Sequence, residues 1–273
     1  MAQNANLNFH QTFRPEKQYI AAILELAGDT RSFSVKDISS LTGIPNGVSS
    51  GKVEPHIYYS NYMGLVDYQK KDGEYQLSRT KLGETVYMED PGLQEILSIL
   101  LCHCMIQRIQ NGAPLWSTIF KEILPLYKNG IKKDMLLKEL ENIFSGKVNS
   151  KNIAPFFGSY DSYFDSIGLL QDEDEEVKIS ALPYDKEFVF LYAYTLFEYW
   201  DEAFFQQDEI TSIQLDELHF GDVFGWDTQE EYSVLEHLSD RGLIRMNRQL
   251  MPYTILRLIN KDDIIAKLYS ELC

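Results

Sequence analysis

The sequence predicts a mainly α-helical protein with small β-wings, built from three similar segments. Each segment has an amphipathic, helix-like stretch, then a Gly-Leu pair, then an extended stretch. A glycine at a helix end adopts the left-handed conformation at little cost, and the apolar residue after it packs back on the last turn. Three helix ends, each leading into a β-hairpin, are therefore predicted at Gly64-Leu65, Gly168-Leu169 and Gly242-Leu243.

The length and composition indicate a folded protein of several compact units. The chain has 273 residues, of which 44% are apolar and 24% charged, and this excludes disordered and collagen-like chains. Three cysteines are too few for a disulfide scaffold, and no secretory signal pattern precedes the first helix. The longest apolar stretches, 96–106 and 188–197, are shorter than a membrane helix requires. We expect a cytoplasmic protein without a membrane partner.

The net charge of −16 is distributed unevenly along the chain. Residues 1–160 hold 17 Lys and Arg against 16 Asp and Glu, which gives +1, whereas residues 161–273 hold 8 against 25, which gives −17. A field this negative opposes non-specific attraction to phosphate backbones. Any nucleic-acid contact is therefore expected to be local and mainly in the first part, while the acidic part keeps the protein soluble or meets a basic partner.

The first segment contains three predicted helices. The first covers Pro15–Leu26, with apolar residues on one face. Ser34 and Asp37 form an approximate capping box that opens a short second helix. A loop, 44–50, leads to the third helix, which is expected to begin near Glu54 because Pro55 is tolerated only in a first turn.

A predicted hairpin follows the third helix. Lys71-Asp72-Gly73 forms the turn between the extended stretches 67–69 and 74–77, and a further helix begins at Thr80. Three helices followed by a two-stranded wing is the order of a winged helix-turn-helix. The sequence therefore predicts repeated winged helix-turn-helix units.

The second and third units are predicted from the same pattern. The second opens with a helix whose apolar face carries Met135, Leu136, Leu140, Ile143 and Phe144, and its wing turn is replaced by the acidic run 172–176. In the third unit Thr228 is expected to cap the last helix. The predicted divisions are a winged helix at 1–90, a helical connector at 91–131, a degenerate unit at 132–180, an aromatic-rich packing helix at 181–209 and a final unit at 210–273.

The candidate DNA-binding residues lie on the loop, third helix and wing of the first unit. Of the helix residues, only Asn61 is of a type that commonly reads base edges, so the pattern favours contact with phosphates over base reading. His56 and Tyr59 are expected to point away from the apolar face of the helix. The full set is Ser49, Ser50, Lys52, His56, Tyr59, Asn61, Lys70, Lys71 and Arg79.

A secondary basic patch is predicted in the acidic half, on the third hairpin. Side chains on this wing are expected to face outward, where they contact phosphate or pair with nearby acids such as Glu236 and Asp240. The patch consists of Arg241, Arg245, Arg248 and Arg257.

Other motifs do not predict catalytic chemistry, a cofactor or a metal. The stretch 47–53 resembles a phosphate-binding loop but has Asn46 where the first glycine belongs and Val53 where Ser or Thr belongs. Cys102 and Cys104 point about 200° apart on a helix, so they cannot share one metal ion. The acidic run 172–176 is expected to be a solvated loop.

Several short motifs resemble a bacterial family known as domain of unknown function 4007. The motifs are Asn8-Phe9-His10-Gln11-Thr12-Phe13-Arg14, Leu82-Gly83, Asp90-Pro91-Gly92-Leu93, Leu100-Leu101-Cys102-His103 and Trp116. The resemblance covers about residues 8–125. Members of this family often accompany DNA phosphorothioate modification and other anti-phage systems, and the resemblance implies a role of that kind.

These patterns lead to an expected function with open alternatives. We expect a non-enzymatic subunit of a DNA modification or anti-phage system that docks on double-stranded DNA and on partner proteins. A pure protein adaptor and a transcriptional regulator remain alternatives, because many winged helices bind only protein. The least supported alternative is a metal-dependent nuclease that uses Asp201, Glu202, Asp208 and Glu209.

Overall fold

A computed structural model describes residues 6–173 and 175–272. The first unit contains α1 (Lys17–Leu26), β1 (Ser32–Ser34), α2 (Val35–Thr42), α3 (Val53–Tyr62), β2 (Val66–Lys71) and β3 (Glu74–Arg79). Three helices follow, α4 (Lys81–Glu89), α5 (Ile96–Ile106) and α6 (Pro114–Thr118), and α6 continues into a π-helical turn at Ile119–Ile123.

The second unit contains β4 (Ile131–Lys132), α7 (Lys133–Ile143), α8 (Ser150–Tyr160), β5 (Leu170–Glu173) and β6 (Glu176–Ile179). The long helix α9 (Val189–Ala203) separates it from the third unit. That unit contains β7 (Glu209–Thr211), α10 (Ser212–Leu218), α11 (Thr228–Asp240), β8 (Ile244–Asn247), β9 (Thr254–Arg257) and α12 (Lys261–Ile265).

The three units have sheets of the same topology. Each sheet is antiparallel and three-stranded, with the orders β1-β3-β2, β4-β6-β5 and β7-β9-β8. The last strand of each unit is therefore central, between the hairpin partner and a short strand that precedes the helices. The prediction of a mainly helical protein with small β-hairpins is confirmed. The short outer strands were not predicted, because two or three residues carry no recognisable alternation.

The Gly-Leu junctions have the predicted conformation. Gly64, Gly168 and Gly242 have φ angles of +73°, +63° and +69°, and each stands shortly before a strand. The following leucines are buried. At Gly64 a side chain would also approach Met105 of α5 to 3.2 Å, so this junction packs closely on the neighbouring helix.

The predicted starts of α2 and α3 are confirmed, α1 begins at Lys17 and not at Pro15, and the predicted cap of α11 is wrong. Ser34 and Asp37 form a complete capping box at α2, and α3 begins at Val53, which puts Pro55 in its first turn. The cap of α11 is Asp227, not Thr228. The Asp227 carboxylate accepts hydrogen bonds from the backbone N–H groups of Gln229 and Glu230, which neutralise part of the positive helix end.

The apolar face of α7 is narrower than predicted. Leu136, Leu140 and Phe144 are buried, but Met135 and Ile143 are 42% and 44% exposed. The buried residues recur every four positions and form one stripe, while Met135 and Ile143 lie at its edges.

Helices α5 and α9 form the centre of the core. Ten of the eleven residues of α5 and eleven of the fifteen residues of α9 are buried. A helix that is buried around its whole circumference must be surrounded by other elements. Helix α9 contacts α5, α10, α11 and α12, and its Tyr199 hydroxyl donates a hydrogen bond to the Cys104 carbonyl at 2.7 Å.

His103 of α5 connects this centre to the second and third units. Its Nε2–H donates to the Val223 carbonyl at 2.8 Å, and Nδ1 accepts a hydrogen bond from the Tyr160 hydroxyl at 3.0 Å. Burial lowers the pKa of His103 to about 4, so the ring is neutral near pH 7. Cys102 and Cys104 are buried beside it, and burial raises the pKa of each thiol to about 12.

The helices of the protein differ from membrane-spanning helices. Within the described residues, none has both the length and the apolar character that crossing a lipid bilayer requires.

Lys121 is a buried lysine in the π-helical turn. It is 3% exposed, its Nζ lies 3.2 Å from the Leu218 carbonyl oxygen and 3.4 Å from the centre of the Tyr199 ring. Burial lowers its pKa to about 7. The Lys121 ammonium group therefore loses its proton more readily in the folded state than in the unfolded chain.

We predict that Lys121→Met stabilises the protein most at low pH. Between pH 7 and the ordinary lysine pKa the unfolded chain binds the extra proton, so wild-type stability rises with pH in that window. The advantage of the variant should shrink by about 1.4 kcal/mol per pH unit between pH 7 and 9. Urea unfolding at pH 6 and pH 9 measures this.

The control is Lys128→Met, which also removes one lysine but at a solvent-exposed position. An advantage of Lys121→Met that does not depend on pH would contradict the assignment of a depressed lysine pKa.

Candidate nucleic-acid interface

The structure divides the nine predicted DNA-binding residues into four groups: exposed residues, ion-paired lysines, buried residues, and residues whose side chains bond to backbone carbonyls. Ser49 and Ser50 are exposed on the loop between α2 and α3, which is closed by hydrogen bonds from Ser50 N to Gly47 O at 3.2 Å and from Lys52 N to Pro45 O at 2.8 Å. Lys71 is exposed at the end of β2 and forms no ion pair with any described residue. Serine hydroxyls and a free lysine on one unit can contact phosphates.

Lys52 and Lys70 are held by separate carboxylates. Lys52 Nζ lies 2.5 Å from Glu16 Oε1, whereas Lys70 Nζ lies 2.8 Å from Glu54 Oε1. Glu54 also accepts a hydrogen bond from the Tyr75 hydroxyl. Both lysines remain partly exposed, at 25% and 44% of the side chain. They do not form one shared cationic cluster, and each would bind phosphate only beside its own acid.

His56 and Tyr59 were predicted to point away from the core, and this prediction is wrong. Both are fully buried. The His56 Nδ1–H donates to the Lys52 carbonyl at 2.7 Å, and Nε2 accepts from the Glu16 backbone N–H at 3.1 Å. Burial lowers the pKa of His56 to about 4, so its ring is neutral near pH 7.

The segment before α1 explains this burial, because it covers the face of α3 that sequence analysis left open. The Tyr59 hydroxyl donates to the Phe13 carbonyl at 3.0 Å, and Phe9 packs edge-on against Tyr59 and Tyr62 with ring centres 4.9 and 4.6 Å away. Helix α3 therefore has buried residues around most of its circumference.

Asn61 and Arg79 make structural hydrogen bonds. The Asn61 amide donates to the Val66 carbonyl at 2.9 Å. Arg79 donates to the Leu24 and Glu25 carbonyls at 2.9 and 3.1 Å, and its guanidinium carbon lies 3.3 Å from the centre of the Tyr87 ring. The assignment of Arg79 to the DNA surface is wrong, because its cation satisfies the carbonyl end of α1.

The secondary basic patch is only partly exposed. Arg245 is exposed and forms no ion pair within the described ranges, whereas Arg248 pairs with Glu236 at 2.8 Å and Arg241 pairs with Glu271. Arg257 does not face outward. It lies on the central strand β9, its Nη1 is 2.5 Å from Asp201, and its guanidinium stacks 4.2 Å from the Trp200 ring centre.

The carboxylates of the nuclease alternative make separate contacts. Asp201 pairs with Arg257 and Lys261, and although burial opposes its ionisation, these hydrogen bonds lower its pKa below the ordinary value. Glu202 accepts hydrogen bonds from the backbone N–H groups of Gln110 and Asn111. Among residues 6–173 and 175–272, no group of three or more His, Cys, Asp or Glu side chains is arranged to hold a metal ion.

Two basic residues that sequence analysis did not select lie beside Lys52. Arg14 and Lys17 line the same cleft, between the first unit and α8. They lie on either side of Pro15-Glu16, just before and at the start of α1. Arg14 ends the motif that begins at Asn8, but no pattern in the sequence indicates that either side chain contacts DNA.

We predict that Arg79→Ala destabilises the fold by about 2 to 3 kcal/mol, because it leaves helix carbonyls without a charged donor. DNA affinity, measured well below the unfolding temperature, should not change. Lys71→Ala is the matched control and should leave stability within about 0.5 kcal/mol of wild type. If Arg79→Ala has normal stability but binds DNA more weakly, the structural role is wrong and Arg79 belongs to the DNA interface.

The comparison with known proteins gives structural relatives only. No protein-family profile matches the chain, and no curated protein matches it in sequence. Two solved structures of SspB are similar in fold, with TM-scores of 0.74 and 0.73, and the first of them is magnesium ion-bound. Each is 14% identical in sequence, and each match covers 97% of this chain and 88% of the other. The chain thus shares the fold of SspB.

Proposed function

We propose that this protein is a non-enzymatic subunit that docks on double-stranded DNA and on partner proteins in a DNA modification or anti-phage system. The observation that carries the DNA part is the exposed loop and hairpin of the first unit, where Ser49, Ser50 and Lys71 have no competing partner among the described residues. They belong to residues 1–160, which carry a net charge of +1. Residues 161–273 carry a net charge of −17, which repels phosphate.

The three units are proposed to be winged helix-turn-helix modules. The first has the order helix, strand, helix, helix, hairpin, and all three have the same strand order in their sheets. The wing of the first unit ends in a tight turn in which Asp72 and Gly73 have positive φ angles, as two-residue hairpins favour. This turn presents Lys71 to solvent.

The proposed mode of DNA contact is sequence-tolerant. The burial of His56 and Tyr59 and the hydrogen bond of Asn61 to the backbone leave α3 few side chains for base edges. Hydroxyls and lysines on the loop and wing bind phosphates, which carry no base identity. This disfavours the alternative of a sequence-specific transcriptional regulator.

The proposed setting draws on two similarities. The motifs before α1 and around Asp90-Pro91 resemble a family found beside phosphorothioate modification enzymes. The second is the likeness of fold to SspB. Neither similarity carries catalytic residues to this chain, and the ion pairs of Asp201 support a structural role for that carboxylate.

A specific observation favours protein docking as well. Leu250 and Met251, between β8 and β9, are 80% and 81% exposed. Solvent-exposed apolar residues on a hairpin are suited to burial against a partner protein. A pure adaptor remains the second candidate, and it predicts that a partner stays bound after nuclease treatment while free DNA does not bind at all.

We predict salt-sensitive binding to duplex DNA of unrelated sequences. Fluorescence anisotropy with labelled duplexes at about 50 and 200 mM salt should show a clear loss of affinity, since each neutralised phosphate contributes about 0.9 to the salt slope. Lys71→Glu should weaken binding several-fold on every sequence.

The exposed Lys138 of the second unit provides the control, and Lys138→Glu should bind as wild type does. Absence of binding by the wild-type protein at 50 mM salt would remove the DNA part of the proposal.

A further inference from the structure

A large open cleft separates the first unit from the second. Its volume is about 990 Å³. One wall is the segment 12–18 with Lys52, and the opposite wall is formed by α8, including Ala154, Pro155 and Gly158. A cleft of this size is far larger than a single small anion requires, and it is open to solvent along its length.

The charges that line this cleft are mostly positive. Arg14, Lys17 and Lys52 are its cations and Glu16 is its one carboxylate, so its described lining has a formal charge of +2 (3 − 1). The whole protein carries −16. Cations gathered in a concave site attract anions more strongly than the same charges spread over a convex surface.

Two of these cations have no competing acid among the described residues. Glu16 is paired with Lys52, while Arg14 and Lys17 make no ion pair with any described residue. Arg14 is exposed and Lys17 is half-buried. Both can therefore contact an incoming anion without first breaking an internal pair.

Packing from both units determines where the cations lie. The side chain of Arg14 runs past Gly158 of α8, where an added Cβ would be 3.4 Å from Arg14 Cβ and Cδ. Lys52 Nζ lies 5.5 and 5.6 Å from the ring centres of Phe13 and Tyr19. The Asn152 amide of α8 donates to the Asn8 side chain at 3.2 Å, which ties the two walls together.

We propose that this cleft binds the phosphate backbone of DNA, with Arg14 and Lys17 as the phosphate-binding residues and Lys52 as a third, acid-paired cation. The proposal rests on the proposed DNA-docking function and moves its main contact from the wing to the cleft. Arginine and lysine bind phosphate without regard to base identity.

The test is a duplex titration with charge and steric variants. Arg14→Glu/Lys17→Glu should weaken binding at about 50 mM salt at least tenfold and lower the salt slope by about 2, as the loss of two phosphate contacts requires. The charge-matched control is Lys128→Glu/Lys138→Glu, two exposed lysines that do not line the cleft, and it should change affinity less than threefold.

Gly158→Gln tests the cleft without changing its charge. An added Cβ at this helical position meets only the flexible side chain of Arg14, at 3.4 to 4.0 Å, and glutamine favours a helix more than glycine does. The melting temperature should therefore be maintained while the narrowed cleft binds DNA several-fold more weakly. The melting temperature of every variant is measured to check that the fold is intact.

The outcomes separate the two proposals. If the wild type binds DNA, Lys71→Glu weakens binding and both cleft variants bind normally, the cleft proposal is overturned and the docking function stands. If the wild type does not bind DNA, the docking function itself fails. Equal losses in the charge-matched control would overturn the cleft as a specific site.

Discussion

The fold depends on the burial of two helices, α5 and α9, that have almost no solvent-facing side. Neither helix could be stable alone in water, because each is apolar over most of its surface. The three units and their connections supply the surrounding surface, and buried polar contacts such as those of His103 to Val223 and Tyr160 fix their register. The described units consequently share one hydrophobic core.

This shared core constrains how the first unit can act. Segment 6–16 lies on α3 and also contributes contacts to α8 through Asn8. A helix that is covered on this side has little surface left for base edges. The polar groups that remain accessible are on the loop before α3, on the wing and along the cleft, and all of these are suited to phosphates. The covering of α3 by segment 6–16 therefore accounts both for the packing of the first unit and for the proposed contact with phosphates.

The ion pairs within the fold determine which basic residues remain available to an external anion. Many of the basic residues are neutralised by acids within the fold, including Arg257 and Lys261 around Asp201 and Arg108 beside Glu198. These pairs lie between α9 and its neighbours and hold elements together. The cations of the cleft differ because two of them have no acid partner among the described residues. In an acidic protein, an external anion interacts most favourably with such unpaired cations.

The sequence by itself determined the local features of this protein. Gly64 and its two counterparts, the capping box of Ser34 and Asp37 and the turn at Asp72-Gly73 depend on residues within a few positions, so they could be predicted from the chain. Only the tertiary structure decided which polar side chains are free. His56 is buried by a segment 40 positions away, and Arg79 bonds to carbonyls 55 and 54 positions away. Such long-range contacts produce no periodic pattern in the sequence. The residues that line the cleft could therefore be identified only from the tertiary structure.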